Sequence, residues 1–336
     1  MRKVGKNSVA FDNVFLHSWG TSCGPKEKEG PIGTYFDVSF NDLYCDEKTW
    51  ETAEMNLMRT ALVEAIRKGN LSISEVELAV GGDLNNQIAV SNYLMNDFPI
   101  PFIGIYGACS TAVLSLINAS TFIDSGYGKY IACMTSSHNS TSERQFRYPT
   151  EYGGQRPPSI TTTVTGSGVG ILTNKKTEIR ISKATIGCVT SSGENDANDM
   201  GRTMAPAASM TLKQHLEDFK ISPDEYDLIV TGDLSLYGSK VFKDILKEYK
   251  IDVENNYQDC GLMIYDLQNQ DVIAGGSGCG CASLVMYGYI CSLLRSKKLK
   301  KVLVIATGAL LNPVMVAQGK EIPSIAHAVC LEGVSE

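Results

Sequence analysis

An internal repeat constrains this chain more than any other feature. Residues 72–84 (Ser-Ile-Ser-Glu-Val-Glu-Leu-Ala-Val-Gly-Gly-Asp-Leu) recur at a constant offset as residues 222–234 (Ser-Pro-Asp-Glu-Tyr-Asp-Leu-Ile-Val-Thr-Gly-Asp-Leu), with seven of thirteen positions identical. Each copy reads as a short acidic turn, a buried strand and Gly-Asp-Leu, and each follows an amphipathic helix. In the first helix Trp50, Ala53, Leu57, Ala61 and Ala65 share one stripe and Gly69 ends it. The second helix is read over Met210–Phe219. Gly107-Ala108-Cys109-Ser110-Thr111 is answered by Cys279-Gly280-Cys281-Ala282-Ser283. Both open helix-like segments, and both lead to a basic spot and a strand, Lys129–Thr135 and Lys300–Thr307. Val14–Cys23 and Ile179–Cys188 are the opening strands. Strand, helix, strand, helix, strand, taken twice, implies an α/β fold with a mostly parallel sheet and helices on both faces. Two pseudo-symmetric βαβαβ halves, near 1–175 and 176–336, would share a central helix layer in a layered αβαβα unit. A cleft is then expected between them, at strand ends and helix N-termini.

Cys109 stands at the most telling point of the repeat. A buried-looking run, Ile103–Tyr106, ends in Gly107, and a helix starts by Ala112. The thiol would sit on a helix N-terminus, where free N–H groups and the dipole favour negative charge and lower a cysteine pKa. Such a place is a nucleophile or an anion seat, unless Cys109 is only a small buried hydrophobe. An anion seat would use two converging helix starts, at Cys109 and Cys281, together with cations. Arg144, Arg147 and Arg156 lie in a polar Gly/Pro-rich stretch, 136–158, expected as a loop over the cleft. A guanidinium holds a carboxylate through two parallel hydrogen bonds. Bracing of the loop through Glu143 and Glu151 is an equal use for these arginines. Phe146, Tyr148 and Tyr152 would supply a flat apolar wall. Asp83 and Asp233, at the strand ends, would repel an anion unless they meet its cation or cap a turn.

Composition removes other classes. A net charge of −7 argues against nucleic acid as the main partner. Ten cysteines scattered over 336 residues fit reduced thiols in a cytosol-like compartment. Met1–Phe11 has no apolar core of a signal peptide, and the run Ala282–Leu294 is too short to cross a bilayer. Cys279-Gly280-Cys281 has no second Cys or His pair at ligand spacing, so no metal is expected, and no cofactor either. Gly166-Ser167-Gly168 is followed by a strand where a dinucleotide fingerprint needs a helix. The basic run Arg295–Lys301 suits a helix C-terminus better than a lipid surface.

The duplicated pattern with Cys on the central helix resembles the thiolase-like superfamily, which includes the ketoacyl synthases. Thr165-Gly166-Ser167-Gly168-Val169-Gly170-Ile171 is similar to its glycine-rich strand, and Gly278-Cys279-Gly280-Cys281-Ala282-Ser283 occupies the place of its Gly-Asn-Thr-Ser-Ala-Ala-Ser turn. A closer and nearly full-length likeness is carried by Thr135–Asn139, Glu143–Gln155, Met204–Ala208, Ala274–Cys279 and Ile325–His327, which resemble the stage V sporulation protein AD family of endospore-forming bacteria. That likeness implies a role in moving dipicolinic acid, a pyridine dicarboxylate, into the developing spore. It also implies work beside the SpoVA membrane proteins, peripheral to the spore inner membrane or on its cytoplasmic side. Thiolase-like proteins often form homodimers, so a second copy is a further expected partner.

Condensing chemistry needs a base and oxyanion donors besides the thiol. In the condensing enzymes of the resemblance a His and an Asn, or two His, from the second half supply them. Here Thr231-Gly232-Asp233 stands where that His would be and Gly278 stands in place of the Asn. Of the four histidines, His17 and His215 are expected to be structural or on the surface. His138 and His327 are the candidate partners of Cys109. The leading expectation is therefore a non-catalytic binding protein for dipicolinic acid or its calcium chelate. Its expected ligand contacts are Asp83, Cys109, Arg144, Arg147, Tyr148, Asp233, Gly278, Cys279, Cys281 and His327. The runner-up is an acyltransferase with Cys109 as nucleophile, and a scaffold with a vestigial cleft is third.

Overall fold

The computed structural model describes residues 1–147 and 155–334. Its first half runs β1 (Phe15–Cys23), α1 (Trp50–Lys68), β2 (Leu78–Gly82), α2 (Ala89–Met95), β3 (Phe102–Gly104), α3 (Thr111–Asp124), β4 (Tyr130–Ser137), α4 (Asn139–Phe146), β5 (Thr162–Thr163) and β6 (Gly166–Thr173). The second runs β7 (Ile179–Ile186), α5 (Met200–Phe219), β8 (Leu228–Thr231), α6 (Ser235–Glu248), β9 (Tyr257–Asp259), β10 (Gly276–Ser277), α7 (Cys279–Leu284), α8 (Cys291–Arg295), β11 (Lys301–Ala309) and β12 (Pro323–Gly333). A π-helical stretch, Val285–Ile290, joins α7 to α8 in one continuous rod.

The main strand path is β9-β8-β11-β12-β7-β1-β6-β4-β2-β3. Read outward from the centre, β1-β6-β4-β2-β3 and β7-β12-β11-β8-β9 repeat one order. They meet where Phe15 and Leu16 pair with Arg180 and Ile179. Each βαβ crossover leaves parallel pairs at the two ends, β2 with β3 and β4, and β8 with β9 and β11. The closing strand of each half returns antiparallel, as β6 beside β4 and β12 beside β11.

Hydrophobic burial holds α3 and the α7–α8 rod between the two half-sheets. Val113, Leu116 and Leu284 share one core with Val80 and Ile131 from one side and Val230 and Val304 from the other. The outer helices pack separately, α1 through Leu62 and Ala65 on Val169, and α5 through Met204 and Leu212 on Ile305. Ala53, Leu57, Ala61 and Ala65 are fully buried along the stripe read from sequence. Thr49 and Thr52 close the N-terminus of α1 in a reciprocal capping box, and Gly69 ends it.

Three local expectations change. Ile103–Tyr106 is not a buried run: β3 is an edge strand, and Ile103 and Tyr106 are 36% and 45% exposed. The second repeat helix begins at Met200 and not Met210, because Asp199 caps it through Arg202 N and Pro206 is carried inside it. Within 136–158, residues Asn139–Phe146 form a helix capped by His138, not a loop. Among the described residues no helix is long and apolar enough to cross a membrane. In the basic run, Lys301 pairs with Glu225 and Glu332, and Arg295 lies 5.1 Å above the Trp19 ring.

Candidate functional site

The turn before α3 is tight because its own side chains close it. Ser110 Oγ donates to Gly107 O (2.6 Å), and Thr111 Oγ1 donates to Ala108 O (2.7 Å) while accepting from Gly107 N (3.0 Å). Ala108 is held at φ +50°, a left-handed value that a non-glycine residue adopts at a cost of about 1–3 kcal/mol. This strained corner puts Cys109 at the start of α3, against the start of α7, and Leu84, Ala108, Cys109 and Cys279 form one small cluster. Gly278, at φ +101°, turns the second corner, where only glycine is at ease. The second helix thus starts at Cys279 and not at Cys281, whose thiol points to Gly232 O.

Asp233 lies behind Cys109. It accepts from Thr307 Oγ1 (2.6 Å) and Gly278 N (2.9 Å), and the Cys109 thiol is within hydrogen-bonding reach of it. Burial raises its carboxyl to about 6, against the hydroxyl, thiol and N–H that lower it. Burial first, then the Asp233 and Cys279 charges, push the Cys109 thiol well above its usual value. The Gly278 N–H pulls the other way and loses. The expected acidic thiol is therefore corrected. A helix start does not activate a cysteine that is 7% exposed and faces a carboxylate.

The other predicted residues fall in distinct places. Asp83 caps a local turn through Asn85 N (2.8 Å), Ser91 N (2.7 Å) and Ser91 Oγ (2.7 Å). His138 is fixed between Leu43 O (2.7 Å) and Ser140 N (3.1 Å), and burial lowers its pKa to about 4. His327 accepts from Gly187 N (3.2 Å) on β12 and is also lowered by burial to about 4. Neither imidazole borders the cavity described below, so neither takes the place of a base for Cys109. His215 is buried between Thr185 Oγ1 and Tyr226 OH, a structural role, and His17 meets Gly69 O. Arg144 pairs with Glu51 beside the Trp50 ring, and Arg156 faces Asp271; neither turns inward. Arg147 does. It is 5% exposed as a side chain, pairs with Glu143, and also ties Thr161 O and Ala197 O together. Tyr148 and Tyr152 lie outside the described residues.

Cys109, Arg147 and Gly278 border one cavity of about 30 Å³, with Phe146, Met200 and Leu311 as apolar wall. Asp83, Arg144, Asp233, Cys279, Cys281 and His327 do not line it. Its volume is close to one water's share of the liquid, so an acyl chain has no room there. A larger open groove of about 480 Å³ passes Lys213, Tyr249 and Asn256 but borders neither glycine corner. Sequence reasoning missed Ser142, Thr163 and Ser277, which also face the small cavity. The last two meet only because β5 pairs with β10 far along the chain, and no local pattern announces that pairing.

The thiol geometry gives an expected labelling pattern. Cys188 is exposed while the other nine cysteines are buried, so native protein at pH 7.5 should take up one equivalent of iodoacetamide at Cys188. Cys109 should react at least about 100-fold more slowly than in unfolded chain, read by mass spectrometry of the peptides. Fast alkylation of native Cys109 would contradict the buried, protonated thiol.

The sequence matches the family described as stage V sporulation protein AD over residues 5–332. It is 48% identical to "Stage V sporulation protein AD" of Bacillus subtilis (strain 168) over 333 residues, covering 99% of this chain and 98% of the relative. The fold is similar to that of 3-oxoacyl-[acyl-carrier-protein] synthase III from Aquifex aeolicus VF5, with TM-score 0.59, 15% identity, and 95% and 99% of the two chains covered. It is also similar to that of OleA from Xanthomonas campestris, with TM-score 0.62, 13% identity, and 96% and 97% covered. These structural likenesses establish a thiolase-like fold.

Proposed function

Because the chain belongs to the stage V sporulation protein AD family, we propose that this sporulation protein is a non-catalytic binding protein for dipicolinic acid, free or as its calcium chelate. It would serve dipicolinate uptake into the developing spore, peripheral to the inner membrane and beside the SpoVA membrane proteins. A homodimer is part of the same proposal. The observation that carries the non-catalytic reading is Asp233 against Cys109. A general base can take the thiol proton only where the two acidities lie close together. The Asp233 carboxyl, at about 6, is a far stronger acid than a thiol that burial and this same carboxylate push well up, so the proton stays on sulfur. Support for an anionic ligand comes from Arg147, the two helix starts and the donor-rich lining of the cavity. A pyridine ring exceeds the present volume, so its admission requires Phe146, Met200 or Leu311 to move aside.

Titration calorimetry with dipicolinate is the direct test. Wild type should bind one equivalent. Arg144→Ala should leave affinity unchanged, since Arg144 sits on Glu51. Arg147→Lys should lose about tenfold, because a lysine cannot hold two parallel hydrogen bonds. Folded wild type that releases no heat ends this reading and leaves the scaffold. An acyl adduct on Cys109 after incubation with acyl-CoA would restore the acyltransferase.

A further inference from the structure

We propose that Ser142, Thr163 and Ser277 form a seat for a single carboxylate group at the inner end of the cavity, so that the ligand enters carboxylate first. The inference rests on the dipicolinate reading above and names the part of the site that recognises the acid.

The seat is built by two elements. β5 and β10 form a separate two-stranded parallel sheet in which Ser277 pairs with Thr163. In-register residues of parallel strands project to one face about 4.8 Å apart, so the two hydroxyls stand side by side. α4 is tied to this sheet by Asn139 Nδ2, which donates to Thr163 O (3.3 Å), and it brings Ser142 to the same cavity.

Among the described residues these hydroxyls have no partner. Ser142 is 6% exposed and its Oγ is buried with no hydrogen-bond partner. Buried polar atoms are normally paired, and one left alone asks for a partner the chain does not supply. Among the described residues the Thr163 and Ser277 side chains make no hydrogen bond either; their backbones do the pairing. Ser120, Ser182 and Ser324 also carry buried hydroxyls without a partner, but of the four only Ser142 borders this cavity. Ser110, Ser136 and Ser137 each donate from the hydroxyl.

The lining also selects the chemistry. The three hydroxyls of the seat, the Tyr106 hydroxyl and the Arg147 guanidinium can donate, the Cys109 thiol is turned to Asp233, and no carboxylate borders the cavity. The group that fits is an acceptor, and an anion can share the Arg147 guanidinium with Glu143. A space of about 30 Å³ admits a carboxylate and not a ring. The pyridine then stays at the mouth, where Tyr106 is 45% exposed and Phe146 forms the wall. A single ordered water would satisfy the hydroxyls equally well, and the experiment separates the two.

Calorimetry would use dipicolinate and, as an uncharged isostere, pyridine-2,6-dicarboxamide. Each of Ser142→Ala and Ser277→Ala should weaken dipicolinate roughly tenfold, and the double variant more than thirtyfold. The diamide should bind wild type at least tenfold more weakly than the acid. Ser142→Cys, nearly isosteric but a weak donor, covers the case in which the double variant does not fold, and it should lose close to tenfold. A folded double variant, or Ser142→Cys, that binds within twofold of wild type would overturn the seat and leave only a water there, with the dipicolinate reading intact. Wild type that fails to bind dipicolinate removes both.

Discussion

Glu54→Gln is expected to stabilise the protein at alkaline pH by about 3–5 kcal/mol while changing little at pH 4. Glu54 is fully buried on α1. It accepts from Ser136 Oγ (2.9 Å), Thr141 Oγ1 (2.9 Å) and Asn85 Nδ2 (3.0 Å), and the same Asn85 amide also reaches Asp83 (3.1 Å). Burial first, and the Asp83 charge second, raise its carboxyl to about 8. Asp83 is raised as well, again by burial. A carboxyl raised in the folded state binds protons that the unfolded chain has released. Its contribution is complete below the unfolded value near 4.5 and is lost as pH climbs through about 8. Wild-type stability should therefore fall between pH 5 and pH 9. The Gln variant keeps acceptor oxygen for Asn85 and carries no charge to desolvate, so its curve should be flatter and lie higher by about 5–10 °C in Tm at pH 9. Differential scanning calorimetry across that range decides. Parallel curves for the two proteins would show that Glu54 is ionised at neutral pH.

Gly308→Ala should lower Tm by about 1–4 °C and also weaken ligand binding. Gly308 lies on β11 between Thr307, which holds Asp233, and Ala309, which borders the cavity. A Cβ there would stand 2.3 Å from Gly107 O and 3.1 Å from Ser110 N. Both are backbone atoms of the Cys109 corner and cannot rotate away. The strand or the corner must shift, at about 1–3 kcal/mol for overpacking. Since Ala108 is already strained, the corner is the part expected to yield. Gly333→Ala, whose new Cβ would meet its nearest atom, Leu294 O, at 3.3 Å and needs a shift of only a few tenths of an ångström, serves as the milder comparison and should lose less than half as much. Equal Tm values for the two variants would remove the close contact as a structural constraint.

The repeat made the architecture legible because each copy carries its own periodicity and its own Gly-Asp-Leu. The stripe Ala53, Leu57, Ala61 and Ala65 is such a signal, and all four residues are fully buried. The Cys109 corner was legible from Gly107 and the following apolar run. Its electrostatics were not, because a helix N-terminus can be read locally while depth and the facing Asp233 cannot. Arg144 and Arg147 show the same limit. They stand three residues apart, Arg144 in the last turn of α4 and Arg147 just past its end, yet one pairs with Glu51 at the surface and the other is nearly enclosed. Edge position also escaped, since Ile103 carries a buried strand's composition on the last strand of the sheet.

The small sheet made by β5 and β10 joins segments separated by more than a hundred residues. During synthesis the first segment leaves the ribosome well before its mate exists. A nascent chain that stops short of Gly276 can close the Cys109 corner, yet its Thr163 strand still lacks a partner. Contacts so distant in sequence form late. The small sheet therefore sets only after most of the second half has been made, and the corner at Gly278 sets with it.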